Sequence, residues 1–216
     1  VLFIGRKAEL DFLNSKYSEP QGQLIVLYGR RRVGKTEILR EFCKGKPHVF
    51  FSCTQTTDRA QLAKFSQHLL REDIPARKYL SEFDDWEKAF LAITDLPYGE
   101  KKKLLDEFPY MCRGNMSIPS ILQNLWDSKL KDQNVMLILC GSAMSFIEKE
   151  LLSEKNPLYG RATGIYKMKE MGFYDAIKFF PGYSDYDKIV TYAILGGIPH
   201  YLKQWNPNWS VEENIK

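Results

Sequence analysis

Long apolar runs are missing from this chain. The longest aliphatic stretch, Val135–Cys140, holds about six residues against the ~20 that a membrane-spanning helix needs. No membrane span is therefore expected. Cysteine and histidine are scarce. The cysteines stand at 43, 53, 112 and 140 and the histidines at 48, 68 and 200, with no C-x-x-C pair among them. That spacing excludes a zinc pattern and points to buried free thiols. No signal peptide is visible, so the cytoplasm is the default location. Neither charge sign dominates: 31 Lys and Arg against 27 Asp and Glu leave +4, too little to argue for a nucleic-acid surface. Internal repeats and low-complexity segments are absent too. What remains is 216 residues, 44% hydrophobic, 13% aromatic and 27% charged, enough for one core with a small appended unit. The chain begins at Val1 rather than Met. Segments beyond its ends are expected.

The order of elements alternates. Helical spacing is read at Ala8–Tyr17, Lys35–Cys43, Arg59–Arg71, Glu82–Thr94, Ile118–Leu130 and Ala143–Leu152. Short apolar runs read as strands at Leu24–Tyr28, His48–Cys53, a stretch ending at Leu104-Leu105, Val135–Cys140 and Ile165–Met168. Such alternation predicts an α/β fold: a doubly wound parallel sheet of about five strands. After Gly172 only helices are read, at Phe173–Phe180 and Tyr186–Leu195. The expected division is a core over 1–171 and a small helical lid over 172–216.

The strongest signal is Gly29-Arg30-Arg31-Arg32-Val33-Gly34-Lys35-Thr36, which fits G-x-x-x-x-G-K-[ST] at every fixed position. A strand precedes it and a helix follows, as a phosphate loop requires. Gly29 and Gly34 permit a tight turn with an open backbone. The N–H groups of 32–36 can then face an anion at a helix start. Lys35 is placed to reach the β- and γ-phosphates, and Thr36 to put its hydroxyl on Mg²⁺. Glu37, next in the helix, joins the nucleotide-binding set. The three arginines supply positive potential.

A phosphate loop needs a carboxylate for the metal, and Asp106-Glu107 follows an apolar strand end. Asp106 is read as the metal ligand and Glu107 as the residue that polarises the attacking water. One feature fits poorly. Glu100-Lys101-Lys102-Lys103 leaves only Leu104-Leu105 before Asp106, whereas a central parallel strand carries about four to eight apolar residues. Either the strand is short or residues are missing near 96–104, and the second is favoured. Ser142, after Val135–Cys140 and Gly141, admits two compatible readings: a sensor of the γ-phosphate, or an N-cap for the next helix. The tryptophans at 86, 126, 205 and 209 are read as core or terminal packing rather than base stacking.

The phosphate loop, Asp106-Glu107 with Phe108-Pro109-Tyr110, and Cys140-Gly141-Ser142 together resemble the prokaryotic and archaeal P-loop ATPases related to the AAA+ and STAND classes, in particular the archaeal ATPase family. Phe3-Ile4-Gly5-Arg6-Lys7-Ala8-Glu9-Leu10 resembles that family's F-x-G-R-x-x-E-L box. Pro157–Gly164 resembles its P-L-Y-G-R segment, and Leu195–Pro199 its G-G-x-P segment. The resemblance covers about residues 3–203. It implies that Ile4, Gly5 and Arg6 line the adenine side with Pro199, and that Arg161 acts as an arginine finger, within its own chain or toward a neighbouring subunit, with a surface or packing role as the alternative. Glu9 is read as a helix-face charge. Family members commonly run longer, with a winged-helix region and often a nuclease-like domain.

These readings make the chain an ATP-binding, Mg²⁺-dependent ATPase module with ATP/ADP and Mg²⁺ as cofactors and low basal turnover. A homo-oligomer or a protein partner is compatible with them. One rival is a nucleotide-gated switch with negligible hydrolysis. Another is the motor part of a longer DNA-associated protein, with nucleic acid met only through regions beyond residue 216. The loop alone does not separate ATP from GTP.

Overall fold

Seven consecutive buried residues, Gln23–Gly29, form the strand on which the fold is built, β1. A strand buried on both faces belongs in a parallel sheet with helices on each side. The computed structural model describes residues 3–46, 48–96, 104–106 (backbone only) and 108–216. Around β1 the chain runs α1 (Lys7–Ser18), β1, α2 (Lys35–Phe42), β2 (Phe50–Ser52), α3 (Asp58–Leu69), α4 (Trp86–Leu91), β3 (Leu104–Asp106), α5 (Phe108–Gly114), α6 (Ile118–Ser128), β4 (Met136–Gly141), α7 (Met144–Phe146), β5 (Gly164–Met168), α8 (Phe173–Ala176), α9 (Asp185–Leu195), α10 (Pro199–Leu202) and α11 (Val211–Ile215).

The described strands pair in parallel in the order β2-β3-β4-β1-β5. β1, β4 and β5 carry most of the sheet. β2 and β3 contribute three residues each. β4 lies between β1 and β3, with Tyr28 level with Gly141 and Leu105 level with Leu139. The phosphate loop, Ser142 and the Asp106 backbone therefore leave the sheet at one edge.

Side-chain alternation divides β1 and β4 between two cores. Leu24, Val26, Leu137 and Leu139 pack with Leu62, Phe65, Phe90, Leu122 and Trp126 from α3, α4 and α6. Ile25, Leu27, Ile138 and Cys140 pack with Leu13, Ile38, Leu39 and Phe42 from α1 and α2. A third cluster is made by residues 171–211, with Met171, Phe180, Leu202 and Trp205 at its centre, and Ile4 packs against it. Trp86, Trp126 and Trp205 are buried, whereas Trp209 is half exposed.

Several boundaries differ from the sequence reading. The helix expected at Glu82–Thr94 narrows to α4 because the Asp85 carboxylate accepts from the Lys88 N–H and caps it. The helix expected at Ala143–Leu152 breaks into α7 and a π-helical turn, Ile147–Leu151. Its N-cap is Ala143 and no side chain caps it, so the capping role read for Ser142 is not realised. α5, α10 and α11 were not expected, although Ser210 and Glu213 form a reciprocal capping box at the start of α11. Most of the stretch thought to lack residues, 97–103, lies outside the described residues.

All four cysteines are buried and free. Burial pushes the Cys43 thiol from 9.0 up to about 12 and Cys112 in the same direction. Cys43 and Cys112 should therefore resist a thiol reagent at pH 8 until the chain unfolds. From pH 9 to about 12 the folded chain keeps the Cys43 proton that the unfolded chain releases, so this thiol lowers stability as pH rises through that window. Urea unfolding of wild type against Cys43→Ala should show the wild type losing stability faster across it.

Candidate functional site

The loop after β1 is shaped by two glycines with different tasks. A Cβ on Gly29 would sit 2.4 Å from the Met168 carbonyl oxygen, so this glycine allows the close approach of β1 and β5. Gly34 has φ +95° and turns the chain into α2. Arg32 also has positive φ, 69°, where a non-glycine residue carries a steric penalty. Lys35 as a residue is 6% exposed, and its ammonium donates to the carbonyls of Gly29 (2.9 Å) and Arg30 (3.0 Å). Lys35 is thus held in the turn of its own loop.

Two cavities meet over this loop. One, of ≈ 480 Å³, is lined by Arg31, Arg32, Lys35, Thr36, Tyr110, Ser142 and His200. The other, of ≈ 250 Å³, is walled by Phe3, Ile4, Val33, Met171, Phe179 and Pro199, with charged residues such as Arg40, Glu41 and Lys44 also in its lining. Gly34, Glu37, Pro199 and Lys203 line both. The first is basic and polar. The second is largely apolar. A ligand with a flat apolar group and a polyanionic tail matches the pair.

Arg6 is buried and its guanidinium makes three hydrogen bonds. It donates to Glu9 (2.7 Å), to the Lys169 carbonyl (2.8 Å) and to the Val33 carbonyl of the phosphate loop (2.7 Å). Its stem lines the apolar cavity, while its charge ties three segments together. Glu9 is corrected from a helix-face charge to a buried ion-pair partner. Gly5, at φ +67°, lets the N-terminal segment approach Met171 and Asp175, where a Cβ would come within 2.8 Å of each.

The three loop arginines go to three different places. Arg30 pairs with Glu170 (2.7 Å) and lines a separate cavity with Met144 and Lys167, so its side chain is not brought to the two cavities. Arg31 donates to the Tyr110 hydroxyl (3.2 Å) and Arg32 to the Tyr201 hydroxyl (3.3 Å). Tyr110 enters the sequence reading only as part of a motif and His200 only as a scattered histidine, both without a role, and Tyr201 and Lys203 do not enter it. Pro199 was the signal for Lys203, since residues four apart share a helix face.

Arg161 is not brought to this site within the chain. It clasps the Asp127 carboxylate, at 2.6 Å from Nη2, and donates to the Pro157 carbonyl (2.9 Å). It precedes β5, whose Gly164 end pairs with Ile25 while its Met168 end reaches Gly29. That strand alone puts about 13 Å between Arg161's end of the sheet and the phosphate loop. Within one chain Arg161 is thus a packing arginine at the opposite end of the strands, and a finger role for it falls to a neighbouring subunit's site. For the acidic pair, the Asp106 backbone ends β3 level with Ser52, and Glu107 lies outside the described residues. No group of three or more His, Cys, Asp or Glu that could hold a metal occurs among the described residues.

Fold and site define an α/β protein of the P-loop ATPase class. The chain belongs to the family described as an ATPase domain predominantly from Archaea, whose model matches residues 3–205. It is 32% identical over 217 residues to an uncharacterized protein of Methanocaldococcus jannaschii, covering 100% of this chain and 47% of that one. The chain thus spans about half the length of that relative. A shorter match, 52% identical over 46 residues, is to an uncharacterized ATP-binding protein of the same organism and covers 21% of this chain and 78% of that one. The fold is similar to a Walker-type ATPase of Pyrococcus abyssi, with TM-score 0.70, 22% identity and coverage of 94% and 66% of the two chains. It is also similar to a STAND protein of Pyrococcus horikoshii, with TM-score 0.62, 16% identity and coverage of 99% and 32%. No helix among the described residues is long and apolar enough to cross a membrane.

Two outcomes test this geometry. Gly197 accepts from the Met171 N–H at 2.7 Å, and a Cβ on it would lie 1.9 Å from the Met171 carbonyl oxygen. Gly197→Ala should displace α10, lowering stability by about 1–3 kcal/mol in urea unfolding. Arg161→Ala should leave nucleotide affinity of the chain unchanged and lower its stability. Arg161 holds the Asp127 carboxyl below the usual carboxylate range. That stabilisation is present above the range and is lost as pH falls through the depressed value. The gap between wild type and Arg161→Ala should therefore close in acid.

Proposed function

We propose that this chain is an ATP-binding, Mg²⁺-dependent ATPase module that hydrolyses ATP to ADP and phosphate slowly on its own. One observation carries the reading: the apolar and the basic cavity share a wall made by the phosphate loop and α10. The base lies between Ile4, Val33, Met171 and Pro199, and the phosphates lie over Lys35. Lys35 neutralises the β- and γ-phosphates. Thr36 and Asp106 hold Mg²⁺, which supplies charge neutralisation at the phosphates. Glu107 takes a proton from the attacking water, and Ser142 orients the terminal phosphate. The separate third core supports a division into an ATPase core over 1–171 and a lid over 172–216.

A second reading is favoured by the place of Arg161. With that arginine at the far end of the strands, Arg161 does not reach its own chain's site, and a missing or in-trans finger costs ~10³–10⁵ in rate. The chain would then act as a nucleotide-gated switch, with a partner protein or a second copy raising turnover. The burial of Trp86, Trp126 and Trp205 supports packing rather than base stacking, and no DNA role is proposed for the described residues.

ATP affinity and phosphate release should be measured on wild type, Lys35→Ala and Glu107→Gln. Lys35→Ala should weaken ATP binding at least tenfold, the loss of a charged hydrogen-bonding group. Glu107→Gln should keep binding and lose turnover ~10²–10⁴-fold. Normal ATP binding by Lys35→Ala would sink the proposal. Tight binding by wild type with no phosphate release would favour the switch.

A further inference from the structure

Arg32 stands in a conformation that disfavours its own side chain. Its φ of 69° is one that glycine adopts without penalty. A residue kept in such a conformation points to a use for the side chain rather than for the backbone. That side chain is aimed. Its Nη1 donates to the Tyr201 hydroxyl at 3.3 Å, and its guanidinium carbon stands 5.7 Å from the centre of the Tyr201 ring. Tyr201 belongs to α10, whose Leu202 is buried in the core of residues 171–211. The loop arginine is thus braced by an element anchored in a different core from its own.

The place of the guanidinium within the cleft narrows its target. Arg32 lines the basic cavity with Lys35, Thr36 and Ser142 and is absent from the lining of the apolar one. Ser142 follows β4, on the side of β1 toward β3. A nucleotide with its base in the apolar cavity and its phosphates over Lys35 therefore directs its outermost phosphate into the half that holds Arg32. We infer that Arg32 contacts the terminal phosphate of a nucleoside triphosphate and makes the site discriminate triphosphate from diphosphate, with Tyr201 as the positioning residue that orients it. The inference rests on the ATP-binding reading above. The guanidinium has five N–H donors, so it can keep the Tyr201 hydroxyl while binding phosphate. Bonds to an ionised oxygen are about twice as strong as neutral ones, so the phosphate contact dominates. Bracing by Tyr201 reduces the side-chain freedom lost on binding.

The test is equilibrium binding of ADP and of a non-hydrolysable ATP analogue, together with melting curves, for wild type, Arg32→Gly, Arg32→Lys and Tyr201→Phe. Arg32→Gly should weaken the analogue by about tenfold or more, the scale for a hydrogen bond to a charged group, and move ADP by less than about twofold. Because it relieves the positive φ, it should not lower the melting temperature. Arg32→Lys should recover part of the preference as a point charge. Tyr201→Phe, which keeps the ring and loses the hydroxyl, should reduce the preference by a smaller factor. An equal loss for both nucleotides in Arg32→Gly, or an unchanged ratio with a lowered melting temperature, would overturn the inference and leave ATP binding standing. If wild type binds neither nucleotide, the ATP-binding reading falls and takes this inference with it.

Discussion

The buried guanidinium of Arg6 is the contact on which the site depends. A charge taken out of water is costly unless it is paired and its donors are used. Here one carboxylate pairs the charge and two carbonyls take further donors, all within 2.8 Å. The partners come from the first turn of α1, from the phosphate loop and from the segment that leaves β5. None of these is covalently near the others, and the two carbonyls would otherwise be loop acceptors. Fixing the Val33 carbonyl turns that peptide toward Arg6 and constrains the loop just before Gly34 and Lys35. Fixing the Lys169 carbonyl sets where the chain departs for the third core.

That departure point decides how the cleft is closed. Met171 follows Lys169 by two residues, and its N–H and carbonyl both face Gly197. Gly197 in turn precedes α10, which carries Pro199, His200 and Lys203 onto the phosphate loop. A chain of backbone contacts thus runs from Arg6 through β5 to α10, with no long side chain as an intermediate. The short helix is placed by close backbone approach. Its residue types matter only where they face the cavities or, as with Leu202, the tail's own core.

Much of this was legible in the residues. β1 and β4 announced themselves because both faces are buried, so their apolar runs are unbroken. The phosphate loop was legible because its glycines, lysine and threonine are demanded by backbone shape and by anions. The causes were less so. Gly29 is required by the Met168 carbonyl on β5, a neighbour that no local pattern reveals. α5 was hidden because it contains Pro109 and ends at Gly114, residues that also mark loops. Arg161 is legible only in part. Its segment resembles one with a role at phosphate, but a resemblance carries residue types and not positions in the sheet. Only the β1–β5 register shows that it stands away from its own chain's phosphate loop. Arg6 lines the apolar cavity, but its tie to Glu9, Val33 and Lys169 is not visible in the sequence.

The three loop arginines show how one charge cluster can be divided. As sequence they form a single run of positive potential. As structure each is held by a different element: Arg30 by Glu170 after β5, Arg31 by Tyr110 on α5, and Arg32 by Tyr201 on α10. Like charges on adjacent residues repel, and dispersing them onto separate partners relieves this without removing charge from the cavity. The partners differ in kind. Glu170 neutralises Arg30, whereas the two tyrosine hydroxyls orient Arg31 and Arg32 and leave their charge uncancelled. A polyanion entering the cleft therefore meets two oriented cations besides Lys35, each tied to an element outside the loop. In that arrangement the loop is positioned from outside as much as by its own backbone. The placement of the loop and the placement of α5 and α10 are therefore tied to each other.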